Sequence, residues 1–134
     1  MNRIREAVLF LLFFSLVFVF LVNLQSLEEE NIEDVYTIID NNCSVSGCHQ
    51  GKRPPRGLNL ERDQFLDSVV NILSQEVPSL KLVDTEDPEK SYLLMKIIES
   101  PEIKGSPMPL FAPSLSSEDI QTIQDWINSL KEQP

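Results

Sequence analysis

The chain begins with a long apolar run, and this run leaves room for only one small globular domain. Residues 7–22 contain no charged side chain, and Ser15 is their only interruption. With residues 1–26 set aside, residues 27–134 have the length of a single domain. A domain of this size buries a modest share of its surface, so we expect a metal, a disulfide or a cofactor to add stability.

The apolar run predicts an uncleaved signal anchor at residues 1–26, with a cleaved signal peptide as the alternative. A signal-peptide core has about 7–15 apolar residues and ends at a small-x-small site, whereas a membrane helix needs about 20. Only Ser26 is small in the stretch that follows, which favours the anchor. Arg3 and Arg5 precede the run and three glutamates follow it, so we expect residues 27–134 on the far side of the membrane.

The domain after the run is strongly acidic. The whole chain has 11 Lys and Arg against 21 Asp and Glu, for a net charge of −10. Without Arg3, Arg5 and Glu6 the counts are 9 and 20, for a net charge of −11. Such a field repels nucleic-acid phosphates and favours basic protein surfaces. We therefore expect partners with basic docking surfaces and no nucleic-acid binding.

The spacing of apolar residues predicts an all-α domain with three to four short helices and long loops. The predicted helices cover residues 32–40, 62–73, a stretch from Pro88 that Pro101 stops, and 117–130. Asp87 and Ser116 are the expected amino-terminal caps. Glycines and prolines between residues 47 and 57 predict an irregular loop wrapped around a ligand.

One short segment contains both cysteines and the only histidine. Residues 43–49 read Cys-Ser-Val-Ser-Gly-Cys-His, which is the haem-attachment pattern C-x-x-C-H with two additional residues between the cysteines. Two thiols on one bent segment can add to the vinyl groups of a haem, and the following imidazole then binds the iron. The pattern predicts one haem c attached through Cys43 and Cys48, with His49 as the proximal ligand. Gly47 supplies flexible backbone for the longer spacing.

A second axial ligand cannot be a histidine of this chain, so methionine, water or another group must fill that position. Met1 belongs to the leader and Met95 to a predicted helix, whereas Met108 stands between two prolines on a stiff segment. A thioether on a rigid segment loses little entropy on binding iron, and methionine ligation raises the reduction potential. Met108 is the predicted distal ligand, and the alternative is a methionine that fills a gap in the core.

Together, these residues resemble the small class I cytochrome c domains of bacterial exported proteins. The resemblance covers residues 31–130 and is carried by Cys43–His49, Asp87–Leu93, the pair Met108-Pro109, and Leu115-Ser116 leading into Trp126-Ile127. It implies a haem domain at residues 27–134 in which the last helix packs across the first. It also implies an electron carrier rather than an enzyme, tethered to the inner membrane and facing redox proteins of the membrane or periplasm.

Other hypotheses stay open for the same residues. Cys43 and Cys48 could form a small-loop disulfide in a haem-free interaction module within an oxidising compartment. A haem with an open sixth position would instead make a sensor or a peroxidase-like domain. A zinc site is not expected, because Cys43, Cys48 and His49 supply three of the four ligands that structural zinc requires.

Overall fold

The protein, as a computed structural model, is described over residues 2–132, and the side chains of residues 2, 4, 5, 21–31 and 132 lie outside that description. The α-helices are α1 (Asn2–Asn42), α2 (Phe65–Val69), α3 (Tyr92–Ile97) and α4 (Ser117–Ser129). Single turns of 3-10 helix occur at Pro55–Gly57, Pro88–Lys90 and Leu130–Glu132. No strand forms within residues 2–132, where isolated bridges join Val70 to Val83 and Leu73 to Lys81. The predicted all-α class is confirmed for this part of the chain.

Residues 1–33 and residues 34–134 form two separate compact units. In the first unit, the large apolar side chains from Val8 to Phe20 are each 39–70% exposed. The rings of Phe10 and Phe14 stack with their centroids 6.1 Å apart. Among the described residues, no helix combines the length and the apolar character needed to cross a membrane, so the predicted N-terminal membrane helix is not supported. The predicted boundary at Ser26 lies outside the described side chains.

The second unit begins within α1, where Val35, Ile38 and Ile39 are buried. The helix ends at Asn42, close to the predicted end at residue 40. It does not begin near Ile32 as predicted. Residues 23–31 contain neither glycine nor proline, so nothing in that stretch breaks the helix that starts at Asn2.

Helix α2 is much shorter than the predicted helix at residues 62–73. It ends at Val69, and Asn71 adopts a left-handed conformation with φ of 57°. The amide of Asn71 then donates to the carbonyl of Val83 at 2.8 Å, and the carbonyl of Ile72 accepts from the amide of Leu82 at 2.7 Å. Backbone pairing with residues 82–83 therefore replaces the helix, and β-branched Ile72 favours such pairing over a helix.

Helix α3 starts later than predicted, and the expected cap at Asp87 is wrong. Residues 88–90 form a separate 3-10 turn, and the Asp87 side chain makes no capping hydrogen bond. The carboxylate of Asp87 instead pairs with Lys90 at 2.6 Å. The first amide of α3, that of Tyr92, donates to the backbone carbonyl of Lys81 at 2.9 Å. A backbone group thus supplies the acceptor that a capping side chain would otherwise provide.

Helix α4 closely matches its prediction. The Ser116 hydroxyl accepts a hydrogen bond from the amide of Asp119 at 3.1 Å, which satisfies one of the free amides at the helix start. Two acidic side chains in the first turn interact favourably with the helix dipole. The buried face consists of Ile123, Trp126 and Ile127.

An aromatic cluster joins three of the helices in the second unit. The ring of Phe65 from α2 meets the ring of Tyr36 from α1 edge-on at 5.8 Å, and its other neighbour is Trp126 from α4 at 5.4 Å. Phe65 is 0% exposed. Such aromatic pairs add to the free energy already gained by burying the rings, so this cluster is the centre of the core.

We expect Phe65→Ala to lower the free energy of unfolding by about 3–5 kcal/mol, because the rings of Tyr36 and Trp126 lose their shared neighbour. Leu73→Ala is the control, since Leu73 is 59% exposed and its truncation should cost less than about 0.5 kcal/mol. Urea titration of both variants followed by Trp126 fluorescence measures the difference. Equal losses in the two variants would show that Phe65 is not central to the core.

Candidate functional site

The loop that carries both cysteines and the histidine starts where α1 ends. The carbonyl of Ile39 in the last turn of α1 accepts from the amide of Cys43 at 2.8 Å. A tight turn follows, in which the amide of Cys48 donates to the carbonyl of Val45 at 2.9 Å. The amide of His49 then donates to the carbonyl of Cys43 at 3.0 Å. Residues 43–49 therefore form a closed loop that carries two thiols and an imidazole.

Gly47 makes the turn of this loop possible. Its φ of +83° lies in the left-handed region, which side chains with a Cβ rarely adopt. No atom lies within 4 Å of the position that a Cβ would occupy, so the requirement for glycine comes from the backbone conformation rather than from lack of space. Next to it, Ser46 is exposed and Val45 is half-buried.

The imidazole of His49 is oriented by the segment that returns to the core. Its Nδ1 lies 3.1 Å from the carbonyl oxygen of Leu58, and the amide of Leu60 donates to the His49 carbonyl at 2.8 Å. A carbonyl oxygen can only accept, so this hydrogen bond requires the proton on Nδ1. The lone pair of Nε2 is then available for a metal, in the arrangement that metal-binding histidines usually have.

A second set of hydrogen bonds closes the loop that links His49 to Leu60. Glu61 Oε2 accepts from the Gly51 amide at 3.0 Å and from the Asn59 side-chain amide at 2.8 Å. The amide of Glu61 in turn donates to Asn59 Oδ1 at 2.8 Å. These bonds, that of Asn59 first and that of Gly51 second, hold the pKa of the Glu61 carboxyl below its usual value. The carboxylate of Glu61, which follows the loop, therefore binds the backbone of Gly51 near the start of the loop.

An open cleft of about 570 Å³ lies on this loop. Its lining consists of Gly51, Lys52, Arg53, Pro54, Gly57, Asn59, Glu61 and Gln64. Neither the cysteines nor His49 nor Met108 belongs to that lining. Sites for large organic cofactors are lined mainly by apolar and aromatic side chains, and this cleft is not. It is therefore unsuited to a porphyrin.

Both thiols are free and half-buried. Burial, and to a smaller extent the neighbouring Cys48, raise the pKa of the Cys43 thiol to about 11. Cys43 therefore stays protonated at neutral pH, where a thiol is a poor nucleophile and a poor metal ligand. Within the described residues, no group of three or more His, Cys, Asp and Glu side chains is placed to hold a metal ion.

Met108 lies on a different segment from the loop at residues 43–49. Its side chain is half-buried, and its amide donates to the carbonyl of Lys96 in α3 at 3.0 Å. No hydrogen bond between described residues joins this segment directly to the loop at residues 43–49. Met95, by contrast, is 7% exposed and belongs to the core. Of the two described methionines, Met108 is therefore the more exposed to solvent.

A polar cluster binds the backbone of residues 104–108, the segment that carries Met108. The sequence alone did not predict this cluster. The Lys96 ammonium is paired with Glu76 Oε2 at 2.6 Å and donates to the carbonyls of Lys104 at 2.7 Å and Ser106 at 2.9 Å. The Tyr92 hydroxyl donates to Glu76 at 3.0 Å and accepts from the Lys104 amide at 3.0 Å. A lysine inside the apolar run Tyr92–Ile98 was the signal that could have indicated it.

The charge of Glu76 depends on this cluster. Burial acts to raise the pKa of its carboxyl, but hydrogen bonds from Lys96 and Tyr92 and the charges of Lys96 and Arg56 outweigh it. The pKa of Glu76 therefore lies below its usual value. A carboxyl of this kind stabilises the fold above its ordinary pKa, and the contribution is lost as the pH falls through the pKa of the folded state.

Comparison with known proteins finds no matching family model, no matching curated protein and no matching solved structure.

We expect Glu76→Gln to lower the free energy of unfolding by roughly 1–3 kcal/mol at pH 7, because a charged acceptor of Lys96 is lost. The difference from the unmodified protein should be fully present above the ordinary pKa of a glutamate and should shrink as the pH falls through the lowered pKa of Glu76 in the folded state. Glu86→Gln is the matched control, because Glu86 pairs with Lys81 at 3.3 Å but is 86% exposed. Denaturant titrations at several pH values measure both, and a pH-independent difference for Glu76→Gln would contradict the assignment.

Proposed function

We propose that this chain is a membrane-tethered monohaem c-type cytochrome that carries electrons. In this proposal Cys43 and Cys48 attach one haem through thioether bonds, His49 is the proximal iron ligand and Met108 is the distal ligand. The observation that carries the proposal is the closed loop at residues 43–49, which carries both cysteines and a histidine whose imidazole is oriented by the Leu58 carbonyl.

The donor set fits covalent attachment of a haem. Adding each thiol across one vinyl double bond forms a carbon–sulfur bond, places the hydrogen on the other vinyl carbon, and needs no oxidant. Both cysteines are free and half-buried in the structure. The high pKa of Cys43 also argues against a thiol tuned for disulfide exchange, which requires a thiolate near neutral pH.

The hydrogen bond between His49 and Leu58 supports the role of His49. It fixes the tautomer with the proton on Nδ1 and limits rotation of the ring. A ligand that is already oriented loses less conformational entropy on binding a metal. The amide of Leu60 also holds the backbone of His49, and Leu60 itself is 4% exposed, so the ligand is anchored to the core.

The surroundings of Met108 support its role as the distal ligand. Its backbone is tied to α3 through Lys96, while its side chain stays half-buried. Two large apolar side chains that follow it closely in sequence are exposed, Leu110 at 42% and Phe111 at 98%. A porphyrin offers the kind of apolar surface that such side chains bury favourably.

A bound haem supplies a one-electron couple between ferrous and ferric iron, and His/Met ligation places that couple at a raised potential. The residues of the chain would hold the iron ligands in place, His49 through the Leu58 carbonyl and Met108 through the backbone of Lys96. The net charge of −11 for residues 27–134 favours encounters with basic surfaces of redox proteins.

The apolar segment and the preceding arginines support a tether in the bacterial inner membrane with the domain in the periplasm, either anchored or released by cleavage.

Production with a haem c maturation system tests the cofactor. We expect one covalent haem in the unmodified chain and in Ser44→Ala, the control inside the same loop. Cys43→Ser and Cys48→Ser should each retain one thioether, and the double variant should lose covalent haem. Haem staining after denaturing electrophoresis, a pyridine haemochrome spectrum and intact mass measure this. An unmodified chain that folds without any tetrapyrrole would reject the proposal and favour the disulfide-stapled interaction module.

The distal ligand is tested by paired methionine variants. We expect Met108→Leu to lower the reduction potential by on the order of 100 mV, within the span of about 0.8 V that axial ligands cover. It should also open the iron to carbon monoxide. Met95→Leu, a matched change at a buried methionine, should leave both properties unchanged. Carbon monoxide binding by the unmodified protein would instead favour a sensor or a peroxidase-like domain with an open sixth position.

A further inference from the structure

We propose that Lys96, together with Glu76 and Tyr92, positions Met108 for binding the haem iron. This inference rests on the proposed function and concerns the same site. It assigns a role to three residues that lie outside the loop at residues 43–49. Lys96 is the central member, because it is bonded to the Met108 segment through both its backbone and its side chain.

The hydrogen bonds of Lys96 reach three positions along that segment. Its backbone carbonyl accepts from the amide of Met108 at 3.0 Å. Its ammonium group donates to the carbonyl of Lys104 at 2.7 Å and to the carbonyl of Ser106 at 2.9 Å. A single residue of α3 therefore holds residues 104, 106 and 108.

The segment has no regular structure of its own to keep it in place. Residues 104–109 belong to neither a helix nor a strand. Gly105 has a φ of +76°, and Pro107 has no amide hydrogen to donate. Since helix and sheet ladders are absent here, contacts with α3 must provide the order that a ligand-bearing segment requires.

The Lys96 ammonium is fully satisfied only when the segment is in place. The group has three hydrogens, and its three acceptors are Glu76 Oε2, the Lys104 carbonyl and the Ser106 carbonyl. Lys96 is 8% exposed, so an acceptor that moved away would not be replaced freely by water. Displacing the segment would leave a buried cation short of partners, which penalises alternative conformations.

Tyr92 and Glu76 make the arrangement specific. The Tyr92 ring is 2% exposed, and its hydroxyl accepts from the Lys104 amide at 3.0 Å while donating to Glu76 at 3.0 Å. Both the amide and the carbonyl of Lys104 are therefore bonded to the cluster. Glu76 neutralises Lys96 at 2.6 Å, which makes burial of the ammonium tolerable.

The test uses the full chain loaded with haem and compares four variants. Lys96→Met keeps the length and packing of the side chain but removes the ammonium, and Tyr92→Phe removes only the hydroxyl. Lys96→Arg keeps a cation with several donors. Lys90→Met is the matched control, because Lys90 also pairs with a carboxylate at 2.6 Å but its side chain is 65% exposed.

We expect Lys96→Met to weaken the methionine–iron signature in the optical and NMR spectra, lower the reduction potential and admit carbon monoxide, while His49 stays bound. Tyr92→Phe should give the same changes to a smaller extent, Lys96→Arg should restore part of the signature, and Lys90→Met should match the unmodified protein. Hydrogen exchange gives a readout that does not depend on the iron. The Met108 amide should exchange about tenfold faster in Lys96→Met, equivalent to about 1.4 kcal/mol of local stability.

The outcomes separate this inference from the proposed function. An unmodified chain that binds no haem rejects the proposed function. A chain that binds haem without Met108 on the iron rejects the distal ligand. In either case the positioning role of Lys96 is rejected as well. A haem-loaded Lys96→Met that folds with an unchanged potential and an unchanged methionine–iron signature overturns the positioning role alone. If Lys96→Met does not fold, Tyr92→Phe takes its place in the test: an unchanged reduction potential and an unchanged methionine–iron signature in that variant overturn the positioning role.

Discussion

The hydrogen bonds between His49 and the segment at residues 58–60 are the constraint on which the candidate site depends. They join the loop that carries the thiols to Leu60, which is buried in the core. Without them, the loop at residues 43–49 would be attached only to the end of α1. The Leu58 carbonyl fixes both the tautomer and the direction of the imidazole. This hydrogen bond therefore gives His49 the defined orientation that a metal ligand needs.

The two loops that matter for the proposed function are ordered in the same physical way. Neither belongs to an α-helix, and a charged side chain binds the backbone of each. Glu61 accepts from the amide of Gly51 within one loop, and Lys96 donates to two carbonyls of the other. A small domain with few long helices can order its loops in this manner, provided that each charge has enough partners to offset its lost hydration.

The elements that depend on local sequence were predictable, and those that depend on distant backbone were not. Helix α4 follows from its apolar spacing and from Ser116, which caps it as expected. Helix α2 ends early because residues 71–72 bond to residues 82–83, a pairing that periodicity does not reveal. The Leu58 carbonyl had no signal in the sequence, because every residue has a carbonyl. Lys96 did have one, since a lysine among apolar residues of a short helix has to find partners inside the protein.

The enclosed thiol of Cys43 has a consequence for the order in which the mature protein is assembled. Once the domain has folded, that sulfur is half-buried and holds its proton well above neutral pH, so it reacts slowly with any electrophile. In the proposed cytochrome, the bond to Cys43 would therefore form while the newly exported chain is still extended. Folding would then proceed around the attached porphyrin, and a chain that folded too soon would become a poor substrate for the ligation machinery.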